Sequence, residues 1–319
     1  MQRFRTTLLT GASTVAAVLI GAAAAAAAPA PQLEVYVGEV PRSELSKIVE
    51  LGIDRHDIDV TAARGGTKTA VRVETILSGA QVKELAADGI TMTPKEIDGQ
   101  TVTQRATAEI AQGPAVFRKY AGPGGLKEEF EQTARRHPLL TKLISIGKTT
   151  RGQDIVAIKI STGARLLRDG AKPGVLYIGA QHAREWITPE MVRRLMHHYL
   201  EGYGSNAELT RIVDTTELWF LPVANPDGYD FTFSDERLWR KNLRDNNGDG
   251  AITPGDGVDP NRNFAVKWGW DNEGSSPLPD SETYRGTGPN SEPETRALNR
   301  LFNRIGFEFF INYHSAAEW

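Results

Sequence analysis

The run Val175-Leu176-Tyr177-Ile178-Gly179-Ala180 is apolar throughout and passes directly into Gln181-His182-Ala183-Arg184-Glu185. A strand with no polar alternation must be buried on both faces, as central strands are when helices cover a parallel or mixed sheet. Thr188 and Pro189 then predict a helix start, with Thr188 as the cap and Pro189 in the first helical position. Met191, Leu195 and Tyr199 form one stripe of that helix, with Val192, Met196 and Leu200 beside it. This strand-turn-helix unit restricts the chain to an α/β architecture. It also puts His182 and Glu185 at the C-terminal end of a central strand, where open α/β sheets hold their ligands.

The rest of the chain from Val116 onward fits the same class. Leu126, Phe130 and Ala134 make a helical stripe that stops at His137-Pro138. Ile144 and Ile146, then Ile155, Val156, Ile158 and Ile160, read as strands. Trp219-Phe220-Leu221 leads into Pro222-Val223-Ala224-Asn225-Pro226-Asp227-Gly228-Tyr229, a strand leaving through a tight turn. Phe307 to Tyr313 is a further strand, closed by His314.

The 319 residues include no cysteine and six histidines. That excludes thiol nucleophiles, disulfide scaffolds and thiolate metal sites, so a bound metal must rest on His, Asp, Glu or backbone oxygen. His-x-x-Glu brings an imidazole and a carboxylate within reach of one cation, and zinc accepts both. His314 at another strand end would complete a His₂Glu set. His197 and His198 lie mid-helix and read as structural. Hydrophobic residues at 40% and charged residues at 24% exclude a wholly disordered chain and a polytopic membrane protein.

Residues 1–30 read as an export signal. Arg3 and Arg5 precede the apolar stretch Leu8–Ile20, and Ala22–Ala28 offers small-residue cleavage sites. Its removal makes the net charge of −3 more negative by two, so no basic excess points to nucleic acid or an anionic membrane. Residues 31–95 carry a separate β-α-β-β-α-β pattern, the split βαβ order, in which His56 is an ordinary surface residue. Residues 96–115, rich in Thr, Gln, Ala and Gly, read as a linker with Arg105 a site for nicking.

Leu238-Trp239-Arg240-Lys241-Asn242 and Val258-Asp259-Pro260-Asn261-Arg262-Asn263-Phe264 add two further motifs between the histidines. Together, from about Val116 to the last residue, these segments resemble the zinc carboxypeptidases of the carboxypeptidase A type, family M14. The resemblance implies a mixed α/β sheet of the eight-stranded carboxypeptidase kind, with helices on both faces, in a catalytic domain spanning 116–319. The segment ahead of it resembles that family's ferredoxin-like inhibitory pro-domain. His182, Glu185 and His314 would be the zinc ligands, and Asp259 would hold the free ring nitrogen of His182. Arg240 would stabilise the oxyanion. Asn261 and Arg262 would grip the terminal carboxylate of a peptide, arginine offering a bidentate fork. Arg184 would contact the peptide further upstream.

Asp245, Asn247, Asp249 and Asp256 fall at ligand positions of an EF-hand-like loop, with Gly250 at the turn position, and suggest a calcium ion. The family's general-base glutamate, its closing tyrosine and its pocket residue follow later than Trp319. The 319 residues as written are therefore expected to lack the base, to incompletely form the sheet, to bind zinc poorly and to turn over little or no substrate, with Glu318 too near His314 to serve. Two other functions fit the residues: a His-x-x-Glu zinc hydrolase acting on N-acyl amino acids, and a non-catalytic protein that binds peptide C-termini or cell-wall peptides. The expected setting is extracellular, with the pro-domain as an intramolecular partner.

Overall fold

The computed structural model describes residues 33–63, 68–112 and 116–315. The export signal read in residues 1–30, part of the linker and Glu318 lie outside the described residues. Among the described residues, no helix is long and apolar enough to cross a membrane.

The first unit runs β1 (Leu33–Pro41), α1 (Leu45–Glu50), β2 (Ile58–Ala62), β3 (Ala70–Ser78), α2 (Gly79–Ala87) and β4 (Thr93–Pro94). Its sheet has the order β2-β3-β1-β4, antiparallel at each pairing, so the β-α-β-β-α-β order is present. Ser78 caps α2 through a reciprocal capping box with Gln81. Ile48, Val71, Val73, Leu77 and Leu85 fill the space between sheet and helices.

Residues 96–115 are more ordered than their composition suggests. They form a small hairpin, β5 (Glu96–Ile97) and β6 (Gln100–Thr101), followed by α3 (Val102–Ala111), which contains Arg105. Thr101 and Gln104 close a second capping box. Val102 is buried with Leu33, Val35, Ile76 and Leu238. A cap and one buried anchor give a short polar helix the tertiary support that its composition lacks.

The second unit begins with α4 (Leu126–Arg136), β7 (Thr141–Lys148), β8 (Asp154–Ile160) and β9 (Gly174–Ile178). It continues through α5 (Ile187–Gly202), α6 (Ala207–Thr215), β10 (Glu217–Leu221), α7 (Pro226–Phe231), α8 (Pro293–Ile305) and β11 (Phe309–Asn312). Five strands are described here, in the order β11-β9-β10-β8-β7. β9 runs parallel to β10 and β11, while β8 is antiparallel to β10 and β7. Alternate residues face opposite sides. Tyr177, Leu218 and Phe220 pack with Phe130, Val192, Met196 and Val213 of α4, α5 and α6. Leu176, Ile178, Trp219 and Leu221 pack with Ala297, Leu298 and Leu301 of α8. Helices on both faces explain why β9, and β10 after Glu217, are apolar throughout.

The start of α5 departs from expectation. The helix begins at Ile187, and Thr188 lies inside its first turn rather than capping it. The Thr188 hydroxyl donates to Glu185 O and accepts from Ala180 N, so it staples the strand end to the helix. Met191 is exposed, and Val192, Met196 and Leu200 form the buried stripe.

Gly179 is the tightest point of this junction. A Cβ there would stand 2.8 Å from backbone atoms of Thr188 and 2.9 Å from Pro222 O. Backbone cannot yield as a flexible side chain can, so Gly179→Ala should destabilise the chain by about 1–3 kcal/mol, read as a lowered midpoint in denaturant unfolding.

Candidate active site

β9, β10 and β11 are parallel, so their C-terminal ends share one edge of the sheet. Ile178 pairs with Asn312, and the chain continues four residues from the first to His182 and two from the second to His314. Asn312 Nδ2 donates to Gln181 Oε1 at 2.6 Å and ties the two exits together. Glu185 follows in the turn before α5, and Ala183 N donates to Arg240 O at 3.0 Å, joining this turn to the Arg240 loop.

His182 Nδ1 lies 2.8 Å from Glu185 Oε1. His314 Nδ1 lies 3.1 Å from Glu185 Oε2 and 3.2 Å from His182 Nδ1. Among the described residues, this is the one group of three His or acidic side chains whose donor atoms all lie within 4.8 Å of one another. Two imidazole lone pairs cannot face each other at this range unless a proton or cation lies between them. Ligands about 2.0–2.1 Å from a tetrahedral zinc stand roughly 3.3 Å apart, close to the observed spacings, so the donor set fits zinc. His182 and Glu185 are buried, while His314 is 31% exposed and leaves one side open.

The electrostatics agree with a cation site. Burial alone would raise the Glu185 carboxyl, but the His182 and His314 imidazoles bring it down to about 2. Burial and Arg240 push His182 down, yet the Asp259 and Glu185 carboxylates outweigh them and raise it. Asp259 Oδ1 lies 3.3 Å from His182 Nε2, the ring nitrogen turned away from the cluster. Burial opposes the Asp259 charge, but Arg240 and His182 hold its carboxyl well below the usual range.

Arg240 is buried and donates Nε and Nη2 to Asp259 Oδ2 at 3.1 and 3.0 Å. Asn261 N donates to Asp259 Oδ1 at 2.8 Å, which brings Asn261 and Arg262 alongside. Arg184 is buried too, with Nη1 and Nη2 on the Glu282 carboxylate at 2.8 and 3.0 Å.

Two residues of the first unit, absent from the sequence reading, complete the cluster. A short 3₁₀ turn, Arg55–Asp57, is capped by Asp54 and sits between α1 and β2. Asp54 Oδ2 accepts from Arg240 Nη2 and Arg262 Nη2, both at 2.6 Å. Asp57 Oδ2 accepts from Arg184 Nη2 at 2.6 Å and Arg240 Nη1 at 2.8 Å. The signal available was the pair of acids three apart in Asp54-Arg55-His56-Asp57, in a loop that the β-α-β-β-α-β pattern does not need. His56 itself is exposed.

Other residues behave differently from expectation. His197 does have an acidic partner: its Nε2 lies 2.6 Å from Glu129 Oε1 of α4, invisible to sequence spacing because it comes from another helix. Among the described residues, Asp245, Asp249 and Asp256 are not a group whose donor atoms lie within 4.8 Å of one another. Asp245 accepts from Gly248 and Gly250 N, Asn247 from Asp249 N, and Asp249 from Ala251 N and Asn247 Nδ2. Asp256 is buried and accepts from Asn246 and Thr253 N. These side chains satisfy turn amides.

Comparison with known proteins follows this geometry. Residues 126–319 match the model of the family Peptidase_M14, described as zinc carboxypeptidase. The chain is 36% identical to Metallocarboxypeptidase A of Trichophyton tonsurans over 180 residues, 55% of this chain and 40% of that protein. It is 31% identical to Carboxypeptidase A2 of Rattus norvegicus over 203 residues, 63% of this chain and 46% of that protein. The chain thus spans less than half the length of these curated relatives. The crystal structure of the carboxypeptidase A from Helicoverpa armigera shares the fold, with a TM-score of 0.65 at 24% identity, over 89% of this chain and 70% of that one.

Lys241, next to Arg240, offers a test of this packing. Its Nζ donates to Pro254 O at 2.9 Å, Pro279 O at 2.7 Å and Ser281 O at 3.3 Å. Burial brings the ammonium down to about 8, against 10.5 when free. Between those values the unfolded chain binds more protons, so stability rises with pH, by on the order of 3 kcal/mol over the window. Relative to Lys241→Met, the native chain should gain stability between pH 8 and 10, checked by denaturant unfolding at both.

Proposed function

The chain belongs to the zinc carboxypeptidase family, and from that membership we propose that it is the secreted precursor of an enzyme removing C-terminal residues from peptides. One observation carries the reading: a zinc-sized His₂Glu cluster shares a buried site with Arg240 and Arg262. Bound there, zinc would act as a Lewis acid and lower the pKa of water.

His182, Glu185 and His314 hold the metal, and Asp259 fixes the tautomer and orientation of His182 through Nε2. Arg240 presents its guanidinium to the oxyanion that develops on the scissile carbonyl. Arg262, with Asn261 beside it, receives the substrate's free carboxylate. Arg184 contacts the peptide upstream. The proton acceptor for the attacking water is not assigned to a described residue.

In the precursor, residues 31–95 act as an inhibitor. Asp54 lies on the two arginines that a substrate would engage, and Asp57 holds Arg184 and Arg240. Gly52 O accepts from Ser281 Oγ at 2.9 Å beside this contact. Removal of the pro-domain takes Asp54 and Asp57 off these guanidinia and opens those donors to substrate, while Arg240 keeps Asp259 and Arg184 keeps Glu282.

Protein from a complete reading frame should carry about one zinc, lost in His182→Ala, and Asp259→Asn should weaken zinc about 10–100-fold in a chelator competition. In the processed enzyme, N-blocked dipeptides should be cleaved in preference to N-acyl amino acids, and C-terminal amidation should abolish cleavage. Arg262→Ala should act mainly on KM. Metal-free preparations from complete reading frames, or equal turnover of amidated peptides, would overturn the assignment.

Asp54→Asn with Asp57→Asn should raise the affinity of the unprocessed chain for a peptide carboxylate at least about tenfold, because buried arginines left without anions seek another. Fluorescence titration with a labelled dipeptide reads this, and unchanged affinity counts against the inhibitory contact.

A further inference from the structure

The two arginines assigned to substrate lie on separate loops, Arg240 two residues before Asn242 and Arg262 immediately before Asn263. Both loops hang from one buried residue, Glu292, at the N-cap of α8. Asn242 Nδ2 donates to Glu292 Oε2 at 2.9 Å, and Arg244 Nε donates to both Glu292 oxygens at 2.9 Å. Glu292 N donates to Asn263 Oδ1 at 3.1 Å. Asn263 Nδ2 in turn donates to Arg285 O, Gly288 O and Ser291 Oγ. The side chain of Glu292 therefore fixes the Arg240 loop, and its backbone fixes the Arg262 loop.

The two loops also touch each other without slack. Asn242 N donates to Val258 O at 3.0 Å, and Asn242 Oδ1 accepts from Val258 N at 2.8 Å. Gly257, at φ +74°, has no room for a Cβ, which would stand 2.4 Å from Asn242 O. Val258 immediately precedes Asp259, the partner of Arg240 and His182.

We propose that Glu292 is a positioning residue, which through Asn242 and Asn263 sets the spacing of Arg240 and Arg262 so that one carboxylate can bridge them. In the precursor that carboxylate is Asp54, 2.6 Å from both arginines. The proposal rests on reading Arg240 as the group that meets the oxyanion and Arg262 as the group that receives the terminal carboxylate.

The hydrogen-bond polarity of the mount is forced. Asn242 Oδ1 is held by Val258 N, so Nδ2 must face Glu292. In Glu292→Gln the new amide meets a donor in either orientation: Asn242 Nδ2 on one side, or Arg244 Nε and Ser291 Oγ on the other. In Asn242→Asp, a carboxylate faces the carboxylates of Glu292 and Glu294. Asn242 Nδ2 also donates to Glu294 Oε2 at 3.1 Å, so the triple variant Asn242→Asp with Glu292→Gln and Glu294→Gln reverses donor and acceptor at both contacts and restores them.

Amide hydrogen exchange on the full chain tests this. Each single variant should speed exchange at Ile53–Asp57 by about tenfold, because Asp54 needs both arginines in register. The triple variant should return that segment to the native rate, and β9 and β10 should keep native protection in all three. Unchanged exchange at 53–57 in the single variants, loss shared equally with β9 and β10, or no recovery in the triple variant would each overturn the proposal. The measurement reports the mount of the arginines and not what they bind in a substrate, so failure of the peptide assays would leave it standing.

Discussion

The desolvated guanidinium of Arg240 is the constraint around which the site is arranged. A buried cation is tolerated only with anions and hydrogen-bond acceptors in good geometry, and removing one partner of such a pair typically costs about 3–5 kcal/mol. Asp259, Asp54 and Asp57 all meet Arg240. Of these, Asp259 belongs to the same domain and is permanent. The other two come from the first unit. The first unit thus satisfies an electrostatic demand that the second unit creates, and a peptide carboxylate would satisfy the same demand. Under the proposed function, inhibition and substrate recognition would be two solutions to one problem of charge compensation.

Asp259 also connects this demand to the metal cluster. One of its oxygens takes Arg240 and the other lies against His182 Nε2. The carboxylate stays ionised because a guanidinium is beside it, and an ionised carboxylate keeps the remote ring nitrogen protonated. That leaves Nδ1 of His182 for a cation. The arginine and the imidazole are therefore coupled through a single side chain, whose position depends on the close packing of Gly257 against Asn242.

Regular elements were legible where burial imposed a period. β9 and β10 read as central strands because both of their faces are covered, and the β-α-β-β-α-β order followed from alternation and capping residues. The three zinc-type donors could be read from strand ends and motif order. Local polarity was a poorer guide. The linker composition concealed α3, whose order comes from Val102 packing on Leu238, a contact 136 residues away in sequence. The hydroxyl of Thr188 had two plausible partners, and the tertiary one replaced the cap. In the 245–256 loop the acids and amides accept from turn amides, and the residue types that do so are the same types that coordinate calcium.

The sequence by itself determined which side chains leave the C-terminal edge of the sheet. The apolar runs specify strands, parallel strands end on one side, and the residues just beyond them are fixed by the chain. Only the tertiary structure decided what those side chains meet. Asp54 and Asp57 reach arginines more than 120 positions away, and Glu292 joins two loops that share no local pattern. Ion pairs between folded units depend on the docking of whole surfaces, and no periodicity in either segment records that geometry.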